Sequence, residues 1–177
     1  MEPIIAFAGS NSSTSINYKL VKYTQSLIKN EEVRLLNMIN FPFPMYSEDV
    51  EKEKGFSNSL MEFANDIKES KGLIISVNEY NGNVSAYFKN LFDWLSRFNH
   101  FFLEGKKVLL MATSPGKRGA IGALTITESV LPRFGATEVI TFSLPSFYDN
   151  FDSKEGIKDA ALADAHKEAL SKFLSKI

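Results

Sequence analysis

The chain has 177 residues, 44% of them hydrophobic and six of them proline, which predicts one domain over residues 1–177 with a substantial core rather than a string of modules. Its 20 basic and 21 acidic residues nearly cancel, so no global field steers it onto nucleic acid or an anionic membrane, and neither is expected as a partner. Cysteine is absent, which excludes disulfides, thiolate nucleophiles and cysteine-ligated metal or iron–sulfur centres, so redox chemistry would need a borrowed cofactor.

In chain order, short β-branched apolar runs alternate with helical stretches. A strand at Ile4 to Ala8 leads to a helix at Ser15 to Lys29, and a strand at Glu32 to Leu36 to a helix at Ser57 to Ser70. The third pair is Leu73 to Val77 with Val84 to Phe98, and the fourth is Val108 to Thr113 with Ala120 to Phe134. A fifth strand at Glu138 to Phe142 precedes a last helix at Ile157 to Ser175. Continuous apolar character, without strict alternation, is what parallel strands show when helices cover both faces of their sheet. The predicted fold is therefore a doubly wound three-layer α/β sandwich around a five-stranded parallel sheet. None of the apolar runs reaches the roughly 20 residues needed to span a bilayer, and MEPIIAFAGS lacks the basic region of a secretory signal, so a soluble, cytoplasmic protein is expected.

In such sheets ligands bind outside the carboxyl ends of the strands, near the point where strand order reverses. The loops after strands one, three and four carry GSNSSTSIN, NEYNGN and SPGKRGAIG, all rich in small, hydroxyl and amide side chains. The first of these runs Gly9, Ser10, Asn11, Ser12, Ser13, Thr14, Ser15, Ile16, Asn17 into an amphipathic helix. Free N–H groups and the positive end of the helix dipole favour a phosphate there, and hydroxyls add donors without a metal. The alternative is that Ser15 or Thr14 caps the helix and the rest is turn. Gly9 is the only glycine of the loop, so neither the GxGxxG of a dinucleotide fold nor a P-loop is present. Ala8, Gly9, Val77 and Asn78 occupy the places where a receiver domain would hold acidic residues.

The three loops together resemble the NADPH-dependent FMN reductase family of flavodoxin-like proteins. Gly9, Ser10, Ser15 and Asn17 match its motif GSxRxxSxN, and Glu79, Tyr80, Asn81 and Gly82 match PEYNGS. Lys89, Asn90, Asp93 and Trp94 match the following KNxxDW, and Ser114, Pro115, Gly116 and Gly119 resemble the segment flanking the flavin ring. The resemblance implies a flavodoxin-like sheet of order 2-1-3-4-5 and an FMN phosphate held by Ser10, Ser15 and Asn17, with Gly9, Ser12 and Ile16 in the same loop. It places the isoalloxazine ring along Asn78 to Gly82 and beside Ser114 to Gly119. Ser12 stands where the family has arginine, and Asn78 where it has proline. Lys117 or Arg118 could supply the missing charge, meet a nicotinamide phosphate, or form a solvated loop tip.

The implied activity is electron transfer from NAD(P)H, as co-substrate, through FMN to a small acceptor such as a quinone, azo compound, chromate or free flavin. No side chain is assigned a catalytic role, and no metal is expected. The competing functions are a flavodoxin-type electron shuttle and a scaffold that has lost its cofactor. His100 and His166 are expected at the surface, His166 on the exposed face of the last helix. The Val84 to Phe98 helix carries two apolar stripes, one of Val84, Phe88, Leu91, Leu95 and Phe98, the other of Tyr87, Trp94 and Phe101. Either it is a core helix packed on two sides, or it forms the interface of a homodimer or dimer of dimers, as the resemblance implies. The segment Phe41 to Asp49 resembles the family's proline loop and is expected to reach toward a partner subunit.

Overall fold

The computed structural model describes residues 2–177. Five parallel strands, β1 (Ile4–Ala8), β2 (Val33–Leu36), β3 (Gly72–Val77), β4 (Lys107–Thr113) and β5 (Glu138–Leu144), pair in the order 2-1-3-4-5. The helices are α1 (Ile16–Leu27), α2 (Glu48–Lys54), α3 (Asn58–Glu69), α4 (Ala86–Phe98), α5 (Ile121–Val130), the single turn α6 (Phe147–Asn150) and α7 (Ala160–Leu174). Each predicted strand is found, with ends shifted by no more than two residues.

Alternation along each strand sends side chains to opposite layers. Ile5, Phe7, Leu73 and Ile75 pack into one core with Phe63 and Ile67 of α3 and Leu91 and Leu95 of α4. Ile4, Ala6, Ile74 and Leu109 pack into the other with Leu20 and Val21 of α1 and Leu170 and Phe173 of α7. All of these strand residues are shielded from water, and each of the isoleucine, leucine and phenylalanine side chains contributes about 1.5–3 kcal/mol by its burial. Both faces of the central strands β1, β3 and β4 are therefore buried, which is why these strands read as mostly hydrophobic runs, while the edge strands β2 and β5 carry exposed or half-buried polar residues such as Arg34 and Thr141.

The helix ends differ from expectation for local reasons. Val84 lies in a two-stranded ribbon, Glu79–Tyr80 against Asn83–Val84, and α4 begins only after the Ser85 cap. Ile157 likewise belongs to a ribbon, Phe151–Asp152 against Gly156–Ile157, and α7 starts after its Asp159 cap. Pro132 interrupts the expected fourth helix, whose end, Leu131–Phe134, is a 3-10 turn closed by Gly135 at φ 100°. The short α2 buries no residue, so it has no apolar periodicity to betray it.

His166 is a correction: it is 1% exposed, not on the open face of α7. Its Nε2 lies 2.8 Å from Thr24 Oγ1, its ring packs on Phe142, and burial lowers its pKa to about 4. His166, Ala169, Leu170 and Phe173 form the buried stripe of α7 at helical spacing. Of the second stripe, Trp94 is buried within its own chain, edge-on against Tyr46 and Phe56 at ring separations of 5.1 and 6.2 Å, whereas Phe101, beyond the end of α4, is 55% exposed. Among the described residues no helix is long and apolar enough to cross a membrane.

Candidate functional site

The loops after β1, β3, β4 and β5 meet at the carboxyl edge of the sheet. Gly9 is required at the exit of β1, because a Cβ there would stand 2.5 Å from Phe88 Cδ2 in the first turn of α4. Its carbonyl accepts the Ser85 hydroxyl at 2.9 Å, so the first loop is tied to the α4 cap.

The next residues form a nest of oriented hydroxyls. Ser10 Oγ accepts the Ser12 N–H at 3.2 Å, Ser12 Oγ accepts the Thr14 N–H at 3.3 Å, and Ser15 Oγ accepts the Tyr18 N–H at 3.1 Å. Ser15 is thus the α1 cap, the hydroxyl protons of Ser10 and Ser15 are left to donate elsewhere, and the Ser12 and Thr14 hydroxyls share one hydrogen bond of 3.2 Å, which leaves one proton of that pair free. The first-turn N–H groups of Ile16 and Asn17 have no intrahelical acceptor, so they face the same end. The Asn17 side chain points the other way. Its Nδ2 donates to the Thr113 carbonyl, and its Oδ1 accepts the Thr113 N–H and the Ser76 hydroxyl.

The third-strand loop is a tight hairpin. Asn81 and Gly82 both have positive φ, 52° and 74°, the pair of angles that an Asn-Gly turn between antiparallel strands uses. Glu79 Oε2 accepts the Ala123 N–H at 2.9 Å and caps α5, whose own N-cap, Ala120, is left-handed and offers no side chain. Gly122 allows that approach, since a Cβ there would be 2.8 Å from Glu79 Oε2.

These loops enclose a cleft of two adjoining lobes that share Ser10, Ser12, Asn78 and Tyr80. The smaller, about 230 Å³, is bounded by Thr14, Ser15, Ile16, Asn17, Glu79, Thr113, Ser114, Pro115 and Tyr148. The larger, about 410 Å³, extends over Asn11, Met45, Ser85, Ala86, Tyr87 and Asn90. Asn78 Oδ1 is buried beside both lobes without a hydrogen-bond partner. Met45, Tyr80 and Tyr148 stand 69%, 64% and 67% exposed around the rim, an unusual display of large apolar surface.

The sequence-derived candidates thus divide. Ser10, Ser12, Ser15, Ile16, Asn17, Asn78, Glu79, Tyr80, Ser114 and Pro115 line the cleft. Gly9, Asn81, Gly82, Gly116 and Gly119 shape the backbone behind it, and Gly116 accepts the Ser146 N–H through its carbonyl at 2.9 Å. Lys117 and Arg118 are exposed at the loop tip, outside the lining of both lobes.

Met45, Tyr87, Asn90 and Tyr148 were not singled out as ligand-facing from sequence. Asn90 and Trp94 gave a signal through their motif, and their role is to fix the proline loop. Asn90 Nδ2 and Trp94 Nε1 both donate to the Pro44 carbonyl, at 2.9 and 2.8 Å, while Asn90 Oδ1 accepts the Tyr46 N–H at 2.7 Å. That loop is therefore held on α4 of its own chain, with Met45 over the larger lobe. The Tyr87 hydroxyl donates toward the Phe41 carbonyl at 2.9 Å, and burial raises its pKa.

The chain is 40% identical over 76 residues to a quinone reductase of Escherichia coli strain K12, a match covering 43% of this chain and only 40% of that relative. A 2-hydroxy-1,4-benzoquinone reductase of a Burkholderia species is 25% identical over 135 residues, 75% of this chain and 71% of the relative. The fold is shared with FerB, a flavoenzyme NAD(P)H:(acceptor) oxidoreductase from Paracoccus denitrificans, at a TM-score of 0.79 and 23% identity, covering 99% of this chain and 96% of that one. Residues 3–149, which hold every cleft residue described above, match the family profile, and the chain belongs to the NADPH-dependent FMN reductase family.

Proposed function

We propose that the chain binds FMN across the two lobes and passes electrons from NAD(P)H to a small acceptor in the cytoplasm, the acceptor being a quinone, azo compound, chromate or free flavin. The observation that carries this reading is the division of the cleft. One end collects hydroxyl protons and two free helix amides, the donors a phosphate monoester needs. The other is a wider trough walled by Met45 and Tyr80, suited to a flat ring. The orphaned Asn78 oxygen lies where they meet, a buried acceptor that a ligand N–H would satisfy.

FMN, when bound, supplies the hydride acceptance and the onward electron transfer that no side chain here can perform. Ser10, Ser12 and Ser15 orient the phosphate, with the amides of Ile16 and Asn17 behind them. The Glu79 to Val84 hairpin holds one edge of the trough rigid through its bond to α5. Met45 and Tyr80 reduce water access, and no side chain is assigned proton transfer.

In the same reading the chain forms a homodimer or dimer of dimers through α4. Support comes from a groove of about 350 Å³ between α4 and α5, walled by Val84, Phe88, Phe92, Ile126, Val130 and Phe134. Steady oxidation of NADPH by purified chain, FMN and benzoquinone tests the activity. Bound FMN without turnover would favour an electron shuttle instead.

A further inference from the structure

The smaller lobe has no lysine, arginine or histidine in its lining. A phosphate monoester carries about −1.5 to −2 charges at neutral pH, so neutral donors would have to hold it. The donors from α1 and its loop come from one side only. Tyr148, from the loop after β5, also lines this lobe.

Its position is built, although the side chain is exposed. Ser146 N–H donates to the Gly116 carbonyl at 2.9 Å and Phe147 N–H to the Ser114 carbonyl at 3.0 Å, so the loops after β4 and β5 are joined as one unit. Asn150 Nδ2 donates to the Pro145 carbonyl at 2.9 Å, and buried Phe147 stacks on Phe151 at 4.7 Å. Ser146 itself is held at φ 46°, a conformation a serine adopts only when its surroundings impose it. This platform keeps Tyr148 at the mouth of the lobe with 67% of its surface in water. A phenol O–H is a more polarised donor than an alcohol O–H and gives a stronger hydrogen bond to an anion than another serine would.

We propose that Tyr148 is a cofactor-binding residue whose hydroxyl donates to the phosphate of the bound cofactor at the mouth of the smaller lobe. The proposal rests on the FMN reading above. It assigns the charge-compensating role to a neutral donor on the β5 loop, and Lys117 and Arg118 contribute nothing specific to the phosphate.

The test compares FMN with riboflavin, which has the same ring and ribityl chain but no phosphate. Tyr148→Phe removes one exposed oxygen and leaves the platform intact, so folding is preserved. Titrations of apo-protein followed by flavin fluorescence should show Tyr148→Phe binding FMN on the order of ten-fold more weakly while its riboflavin affinity is unchanged. The double variant Lys117→Ala/Arg118→Ala should keep the wild-type preference for FMN over riboflavin. The proposal is overturned if Tyr148→Phe keeps that preference, if it weakens both ligands equally, or if only the double variant abolishes it. Wild-type protein that binds neither flavin overturns both this proposal and the functional reading; wild-type binding of FMN with an unaltered Tyr148→Phe overturns this proposal alone.

Discussion

The carboxamide of Asn17 and the backbone of Thr113 are joined by two hydrogen bonds of 3.1 Å, one donated in each direction. With the 2.7 Å bond from Ser76 Oγ, they strap the first turn of α1 to the ends of β3 and β4. The smaller lobe thus owes its shape to the sheet order, because β1, β3 and β4 must be neighbours for one side chain to reach both strands.

Asn17→Ala is expected to destabilise the apo-protein by about 2–4 kcal/mol, since it leaves buried groups of Thr113 and Ser76 unpaired. Urea unfolding without ligand measures this. If apo stability were unchanged and only ligand affinity fell, the carboxamide would belong to the ligand instead of the strap.

Gly9→Ala places a methyl 2.5 Å from the Phe88 ring, which is 3% exposed and cannot swing into solvent without opening the core. The expected cost is about 1–3 kcal/mol, with a lower cost when Phe88→Leu is introduced at the same time. A double-mutant cycle on unfolding free energies reads the coupling, and strictly additive effects would contradict the clash.

Glu79→Gln weakens the charge-assisted cap on α5 and should cost about 1 kcal/mol. Its second effect is on the hairpin. Hydrogen exchange at Asn81 to Val84 should accelerate, because the carboxylate is the hairpin's tie to Ala123. Unchanged protection there would show that the ribbon holds its place without the cap.

His166 makes stability depend on pH. Its pKa falls from 6.5 in the unfolded chain to about 4 in the fold, because burial disfavours the imidazolium. The stability it confers is therefore complete above pH 6.5 and is lost as pH falls toward 4, where the unfolded chain binds a proton that the folded chain refuses. The loss amounts to about 3 kcal/mol. His166→Leu leaves Thr24 bonded to the Leu20 carbonyl at 2.9 Å and should flatten this part of the pH profile. Equal slopes for wild type and variant between pH 6.5 and 4 would refute the assignment.

The sheet was legible because both faces of its central strands are buried, leaving runs such as IIAFA and LIISV in which Ser76 is the one polar residue. The cap at Ser15 was legible as one of the two residues, Ser15 or Thr14, weighed for that role, whereas Ser57, read as the first residue of its helix, is the α3 cap. Val84 and Ile157 were misassigned because these apolar residues lie one and two positions before a cap, Ser85 and Asp159, and lend themselves to the helix pattern, while two-residue ribbons have no periodicity of their own. The loops of the site were recognisable by place and composition, but side-chain direction was not. Asn17 matches a phosphate motif, yet its carboxamide turns into the sheet. Met45 and Tyr148 reach the cleft only through tertiary packing, the first through Asn90 and Trp94 holding Pro44, the second through the bonded loops after β4 and β5. His166 was readable from its spacing with Ala169, Leu170 and Phe173, a stripe that marks it as buried despite its polarity.

The proposed function requires the cleft at the carboxyl edge of the sheet to be a flavin site. Titrating cofactor-free protein with FMN, and following absorbance and fluorescence, tests it most directly. Saturable uptake of one FMN per chain is expected, with a roughly micromolar or tighter dissociation constant and competition by excess FMN analogues that keep the phosphate. A protein that stays colourless and leaves the spectrum of added FMN unchanged would contradict it.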